Sequence, residues 1–256
     1  MESQIRGTTM PVLEVRLDPG ESVVAESGQL GWCSDAIALT TSTALGGADG
    51  VWDAAKRSIG GSSFFMTRYE ATTAPGMVTF PARLPGTIFE VPLGPGRTYL
   101  IQQHGFLAGT EGSELTTAFN PKQFGAGFFG GFGFLLQRLE GAGHAWIELA
   151  GELTEYDLPE GQSIRVHPAH IGLVEGTVDV ELTTVPGIKN KLFGGDGLFL
   201  VRLRGPGKVW LQSLSLPMLA HALLPYLPTC GAATPAQGLE PAGVVAAVGT
   251  IGKLLG

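Results

Sequence analysis

The feature that most restricts the fold is internal repetition. Leu135-Leu136-Gln137-Arg138-Leu139-Glu140-Gly141-Ala142-Gly143-His144-Ala145-Trp146 matches Phe199-Leu200-Val201-Arg202-Leu203-Arg204-Gly205-Pro206-Gly207-Lys208-Val209-Trp210 position by position, 64 residues later. Phe65-Met66-Thr67-Arg68-Tyr69-Glu70 is an earlier relative, with a longer turn through Thr72, Thr73, Pro75 and Gly76 before Val78 and Phe80. A second element precedes each of these: a strand, a turn rich in Pro and Gly, then another strand. It runs Val12-Leu13-Glu14-Val15-Arg16-Leu17-Asp18-Pro19-Gly20, then Phe89-Glu90-Val91-Pro92-Leu93-Gly94-Pro95-Gly96, and more loosely Leu153-Thr154-Glu155-Tyr156-Asp157-Leu158-Pro159-Glu160-Gly161. Two elements recurring three times in one order imply three related units of about 65 to 70 residues, none of which buries enough surface alone.

The local pattern within the units is that of strands. In Val12 to Leu17 the polarity alternates with period two, and Pro–Gly and Gly–x–Gly turns supply the backbone angles that hairpins need. The 39 glycines among 256 residues are about twice the usual share of roughly 7%, as many tight turns require. The expected fold is all-β. Three pseudo-symmetric repeats of bent hairpin ribbons (about 1–80, 81–150 and 151–216) form one jelly-roll-like or double-stranded β-helix-like domain around a pseudo-threefold axis with a shared core. A short helix from about Met218 to Leu224 and a poorly ordered apolar Gly/Ala-rich tail occupy 217–256. Trp146 and Trp210 are expected to fill corresponding core or inter-unit positions. The mid-strand Arg68, Arg138 and Arg202 are expected at buried edges in ion pairs or hydrogen bonds.

Apolar residues at 44% exclude disorder throughout, and a net charge of −7 argues against a nucleic-acid partner, because phosphate contacts need clustered Lys and Arg. Met1 to Val12 carries Glu2 and Arg6 and no long apolar run, unlike a secretory signal. Val209 to Cys230 lacks charged residues but is broken by Pro217, Pro225 and Pro228, so it is not read as a membrane span. Cys33 and Cys230 are read as free thiols in a cytoplasmic protein.

Two segments carry a family likeness. Lys191-Leu192-Phe193-Gly194-Gly195-Asp196-Gly197-Leu198, continuing through Trp210 to Gln212, resembles the strongest signature of the altered-inheritance-of-mitochondria family. Gly60-Gly61-Ser62-Ser63-Phe64-Phe65-Met66-Thr67-Arg68-Tyr69 resembles a second family segment. The resemblance extends over about Met1 to Leu214. It implies an all-β fold like that of the tryptophan-RNA-binding attenuator and no established enzymatic activity. Mitochondrial relatives are associated with inner-membrane organisation, a role this chain does not inherit from resemblance alone.

Catalytic constellations are sparse, and the expectation is a non-enzyme without a cofactor. The densest histidine pair, His167-Pro168-Ala169-His170, has i, i+3 spacing, which on a strand sends the rings to opposite faces. A metal-dependent enzyme using His104, His167 and His170 is therefore the weakest alternative, behind a jelly-roll small-molecule binding module. Gly125-Ala126-Gly127-Phe128-Phe129-Gly130 matches a dinucleotide fingerprint in letters only, since nothing around it reads as a strand-to-helix unit.

The unusual chemistry is apolar. Five phenylalanines alternate with glycines from Phe124 to Phe134, and Gly-rich stretches near Gly46 to Gly61 and Lys189 to Gly197 hold corresponding places in the other units. Val51 to Ile59 reads as a short amphipathic helix with a basic flank. The candidate interaction residues are Trp52, Phe124, Phe128, Phe129, Phe132 and Phe193. A homo-oligomer presenting such loops to a membrane surface or a protein partner is the leading functional expectation.

Overall fold

The computed structural model describes residues 1–42, 66–119, 135–184 and 199–226. Among them the chain is almost all antiparallel β. The strands are β1 (Glu2–Arg6), β2 (Val12–Leu17), β3 (Ser22–Glu26), β4 (Trp32–Cys33), β5 (Ile37–Ser42), β6 (Met66–Ala71), β7 (Gly76–Pro81), β8 (Gly86–Leu93), β9 (Tyr99–Gln102) and β10 (Phe106–Thr110). They continue as β11 (Ser113–Phe119), β12 (Leu136–Gly141), β13 (Gly143–Ala150), β14 (Leu153–Leu158), β15 (Ser163–Val166), β16 (Ile171–Glu175), β17 (Asp179–Thr184), β18 (Phe199–Arg204) and β19 (Gly207–Gln212). Helix α1 (Leu216–Leu223) follows, close to the expected short helix. The chain divides into two compact units, Met1–Ala220 and His221–Gly256. The second lies mostly outside the described residues.

Four sheets result. Sheet I has the order β1-β2-β7-β4, sheet II β5-β6-β3-β10-β13-β8, sheet III β11-β12-β9-β16-β19-β14, and sheet IV β15-β18-β17. The order of sheet III is that of sheet II with every strand number raised by six. The register follows the same shift. Leu17, Leu93 and Leu158 lie opposite Gly76, Gly143 and Gly207. Gly143 and Gly207 hold positive φ angles of 98° and 139° as they open β13 and β19. A Cβ at either would collide with a threonine hydroxyl, Thr110 or Thr177. The Gly–x–Gly turn is thus fixed both by its backbone angles and by close approach.

The apolar residues form three clusters rather than the single shared core expected. The first joins sheets I and II through Leu13, Val15, Tyr69, Phe80, Leu107 and Trp146. The second joins sheets II and III through Met66, Phe106, Ile147, Ile101, Leu139 and Trp210. The third joins sheets III and IV through Leu136, Ile171, Val174, Val201, Leu203 and Val209. Burial explains the sequence texture. Strands β3, β10 and β16 each begin with four successive buried residues. They read as near-continuous apolar runs because both faces are covered. Strand β2 covers one face only, and its buried residues alternate with more exposed ones.

Trp146 and Trp210 are 2% and 8% exposed. Arg68 is half-buried and paired with Glu70 and Glu111, as expected, whereas Arg138 faces solvent and Arg202, though paired with Glu181, is 46% exposed. The alternation of β12 and β18 puts these positions on the side opposite the adjacent core leucines, Leu139 and Leu203. The Trp146 indole N–H has no hydrogen-bond partner among the described residues, whereas that of Trp210 donates to Glu155 Oε2 at 2.8 Å. Trp146→Ala is therefore expected to cost about 3–5 kcal/mol, as large core truncations do, in urea unfolding. Trp146→Phe should cost distinctly less than Trp210→Phe, because only the latter breaks a hydrogen bond.

Candidate functional site

The candidate interaction residues Trp52, Phe124, Phe128, Phe129, Phe132 and Phe193 lie outside the described residues. Their segments nonetheless have defined roots. Residues 43–65 connect β5 to β6, 120–134 and Leu135 connect β11 to β12, and 185–198 connect β17 to β18. The last rungs before each connection are Ser42↔Met66, Phe119↔Leu136 and Thr184↔Phe199. In each case the two consecutive strands are antiparallel partners.

The densest charged chemistry among the described residues lies elsewhere, where β3 and β10 join within sheet II. Arg83, between β7 and β8, sits in its centre. Its guanidinium donates from Nε to Gln29 Oε1 at 2.5 Å, from one terminal nitrogen to Glu26 Oε2 at 2.8 Å, and from the other to the His104 carbonyl at 3.3 Å. Its backbone N–H donates to Glu148 Oε2 at 2.9 Å, and Glu148 Oε1 lies 3.4 Å from Arg83 Nε. Gln29 donates in turn to the Pro81 carbonyl at 3.0 Å. The two carboxylates come from strands far apart in sequence, β3 and β13, and the cation from a connection. His104 holds a left-handed φ of 68°, which tightens the β9–β10 turn and points its carbonyl at Arg83.

Electrostatics separate the two acids. Burial pushes the Glu148 carboxyl above its usual range, and the Arg83 contacts only partly offset that. Burial also works against the Glu26 carboxylate. There the neighbouring His104 imidazole and the Arg83 guanidinium outweigh it and hold the group below its usual range. The His104 Nδ1 is 3.8 Å from Glu26 Oε2, too long for a hydrogen bond.

The corresponding place in sheet III has no charge. Gln212 stands where Glu148 does, two residues after its tryptophan, and Gln102 closes β9 as Glu26 closes β3. The two amides exchange hydrogen bonds of 2.8 and 2.6 Å. Gln212 Oε1 accepts from the Ala150 N–H at 3.1 Å, as Glu148 accepts from the Arg83 N–H. One slot is thus filled by an ion cluster at the first junction and by an amide pair at the second. Sequence reasoning overlooked both. The available signal was the polar pair Glu148 and Gln212 at the same position of the matched segments.

The histidines do not converge. His144 Nδ1 contacts Glu90 at 2.6 Å, His170 Nδ1 lies 2.8 Å from the Gln212 carbonyl, and His167 caps the turn Pro168–His170. No group of three or more potential metal ligands occurs among the described residues. Cys33 is a free thiol. No helix among the described residues is long and apolar enough to cross a membrane.

Comparison with known proteins agrees with this β architecture. The family described as mitochondrial biogenesis AIM24 matches residues 3–214, and the chain belongs to that family. An uncharacterised protein of Streptococcus pyogenes serotype M6 is 26% identical over 230 residues, covering 88% of this chain and 90% of the relative. A crystal structure of a Streptococcus pyogenes protein superposes with a TM-score of 0.69 at 23% identity, over 88% of this chain and 99% of the other. At that identity the likeness establishes the fold.

Two predictions follow from the ion cluster. Arg83→Ala leaves two buried carboxylates facing one another and is expected to cost about 3 kcal/mol, as unpairing buried charge does. Adding Glu26→Gln and Glu148→Gln to that variant, which imitates the sheet III slot, should recover most of the loss in the same unfolding assay. The second concerns pH. A carboxyl raised on folding binds its proton more tightly in the native state, so its contribution to stability falls as pH rises from the ordinary glutamate value of 4.5 through the raised folded value. Glu148→Gln should therefore show a smaller drop in melting temperature between pH 5 and pH 7.5 than the unaltered protein, read by calorimetry.

Proposed function

We propose that the protein is a non-enzymatic scaffold that carries three apolar, Gly-rich segments to a membrane surface. The carrying observation is that 43–65, 120–134 and 185–198 are rooted on corresponding hairpins, β5/β6, β11/β12 and β17/β18. In this reading the region to Gln212 is one module used three times, and each copy brings one segment. Three weak contacts rooted on one rigid frame act together, so their joint affinity exceeds that of any single one. The segments supply the chemistry: Trp52 beside Lys56 and Arg57 in the first, Phe124, Phe128, Phe129 and Phe132 in the second, and Phe193 between Lys191 and glycines in the third. Aromatic side chains with adjacent cations suit the boundary between headgroups and acyl chains. The glycines let the backbone adapt to that surface, at an entropic cost in the free state.

Co-sedimentation with liposomes containing anionic lipid tests the reading. The unaltered protein is expected in the pellet, and a variant carrying Trp52→Ser, Phe128→Ser and Phe129→Ser is expected largely in the supernatant. Equal partition of the two overturns membrane docking. A loss confined to binding of another protein would transfer the same surface to a protein partner.

A further inference from the structure

Sheets II and III are each assembled from two triplets of strands. In sheet II, β5-β6-β3 meets β10-β13-β8; in sheet III, β11-β12-β9 meets β16-β19-β14. The seams are the antiparallel pairs β3·β10 and β9·β16. Sheet IV, β17-β18-β15, is a first triplet by itself. Sheet I, β4-β7-β2 with β1 added outside β2, is a second triplet by itself. Strands β15 and β4 are therefore the two sides of a third seam, and they are not paired with each other.

The leftover groups along these edges are complementary. At the two formed seams, Ala108 and Leu173 lie opposite the buried Trp146 and Trp210. The corresponding residue on β4 is Trp32, opposite Thr79, so here the indole sits on the edge strand itself. It is 53% exposed. The first seam is also bridged by charge: Arg68 Nε lies 3.2 Å from Glu111, the residue that follows β10. Asp35 holds the place of Glu111, is exposed, and makes no ion pair among the described residues. On the other side, Arg202 corresponds to Arg68 and is 46% exposed, with one ion pair of 3.5 Å to Glu181. Arg165 lies directly opposite it, exposed and with no ion pair among the described residues. Two like charges face each other across that rung, a destabilising arrangement that an incoming carboxylate would relieve.

We propose that a second copy of this chain docks head to tail, its β4 adding to β15 of the first. Transferring the pairing of the formed seams gives the register Trp32↔Val166, Cys33↔Arg165 and Ser34↔Ile164. Asp35 of the incoming copy then meets Arg202 and Arg165. Trp32 covers the end of the third apolar cluster, where Val166 and Val201 lie. Strand addition supplies main-chain hydrogen bonds, and the aromatic contact and charge pair set the register. Because the two edges differ, the contact is heterologous and builds rings or filaments instead of closed pairs. It involves none of the apolar segments and goes beyond the docking reading.

Disulfide trapping tests it in the full-length chain with Cys230→Ser and Arg165→Cys, leaving Cys33 as the partner thiol. Mild oxidation is expected to give a ladder of covalent dimers and higher species on a non-reducing gel. Moving the introduced cysteine to Glu181→Cys, on the far strand of sheet IV, should reduce that ladder at least tenfold. In the protein without added cysteines, Asp35→Arg should shift light-scattering mass toward the monomer, and Asp35→Arg with Arg202→Asp should restore it. Loss of both thiols without a ladder would mean that the edges meet within one chain, which overturns the proposal. So would two thiols that remain free, or equal ladders from the Arg165→Cys and Glu181→Cys variants.

Discussion

The seams β3·β10 and β9·β16 carry the architecture. Each converts two three-stranded pieces into one six-stranded sheet, in which β3, β10 and β16 are buried on both faces and β9 alternates between buried and partly buried residues. A triplet alone would expose one apolar face and one unpaired edge. Joined to the next, it loses the edge, and its covered faces enclose Trp146 between sheets I and II or Trp210 between sheets II and III. The three apolar clusters follow from that joining, one between each successive pair of sheets.

Polar groups at the seams are specific where the apolar packing is generic. The same slot holds Glu26, Arg83 and Glu148 at one seam and Gln102 with Gln212 at the other. An amide pair satisfies its own hydrogen bonds. A pair of carboxylates needs a cation, and Arg83 supplies it from outside the sheet. Such a cluster adds little net stability over an uncharged alternative, but each member becomes costly to remove.

The outer sheets show the consequence of running out of partners. Sheet I and sheet IV each keep one covered face and an edge, and their exposed residues are the ones that stand out chemically: Trp32 and Asp35 on one side, Arg165 and Arg202 on the other.

The chain itself determined the strand pattern, the Pro–Gly and Gly–x–Gly turns and the burial of Trp146 and Trp210, because each is a local matter of backbone angles and side-chain alternation. The all-β class was also legible, since turn residues and period-two alternation are local signals. The exposure of Arg138 and Arg202 was not, because alternation gives two faces without saying which is covered. Nor were the clusters: Glu26, Arg83 and Glu148 lie on separate elements, and the two carboxyls gain their shifted ionisation only from proximity and burial. Strand pairing between triplets is non-local, and its choice of partner depends on surfaces that exist only once each triplet has folded.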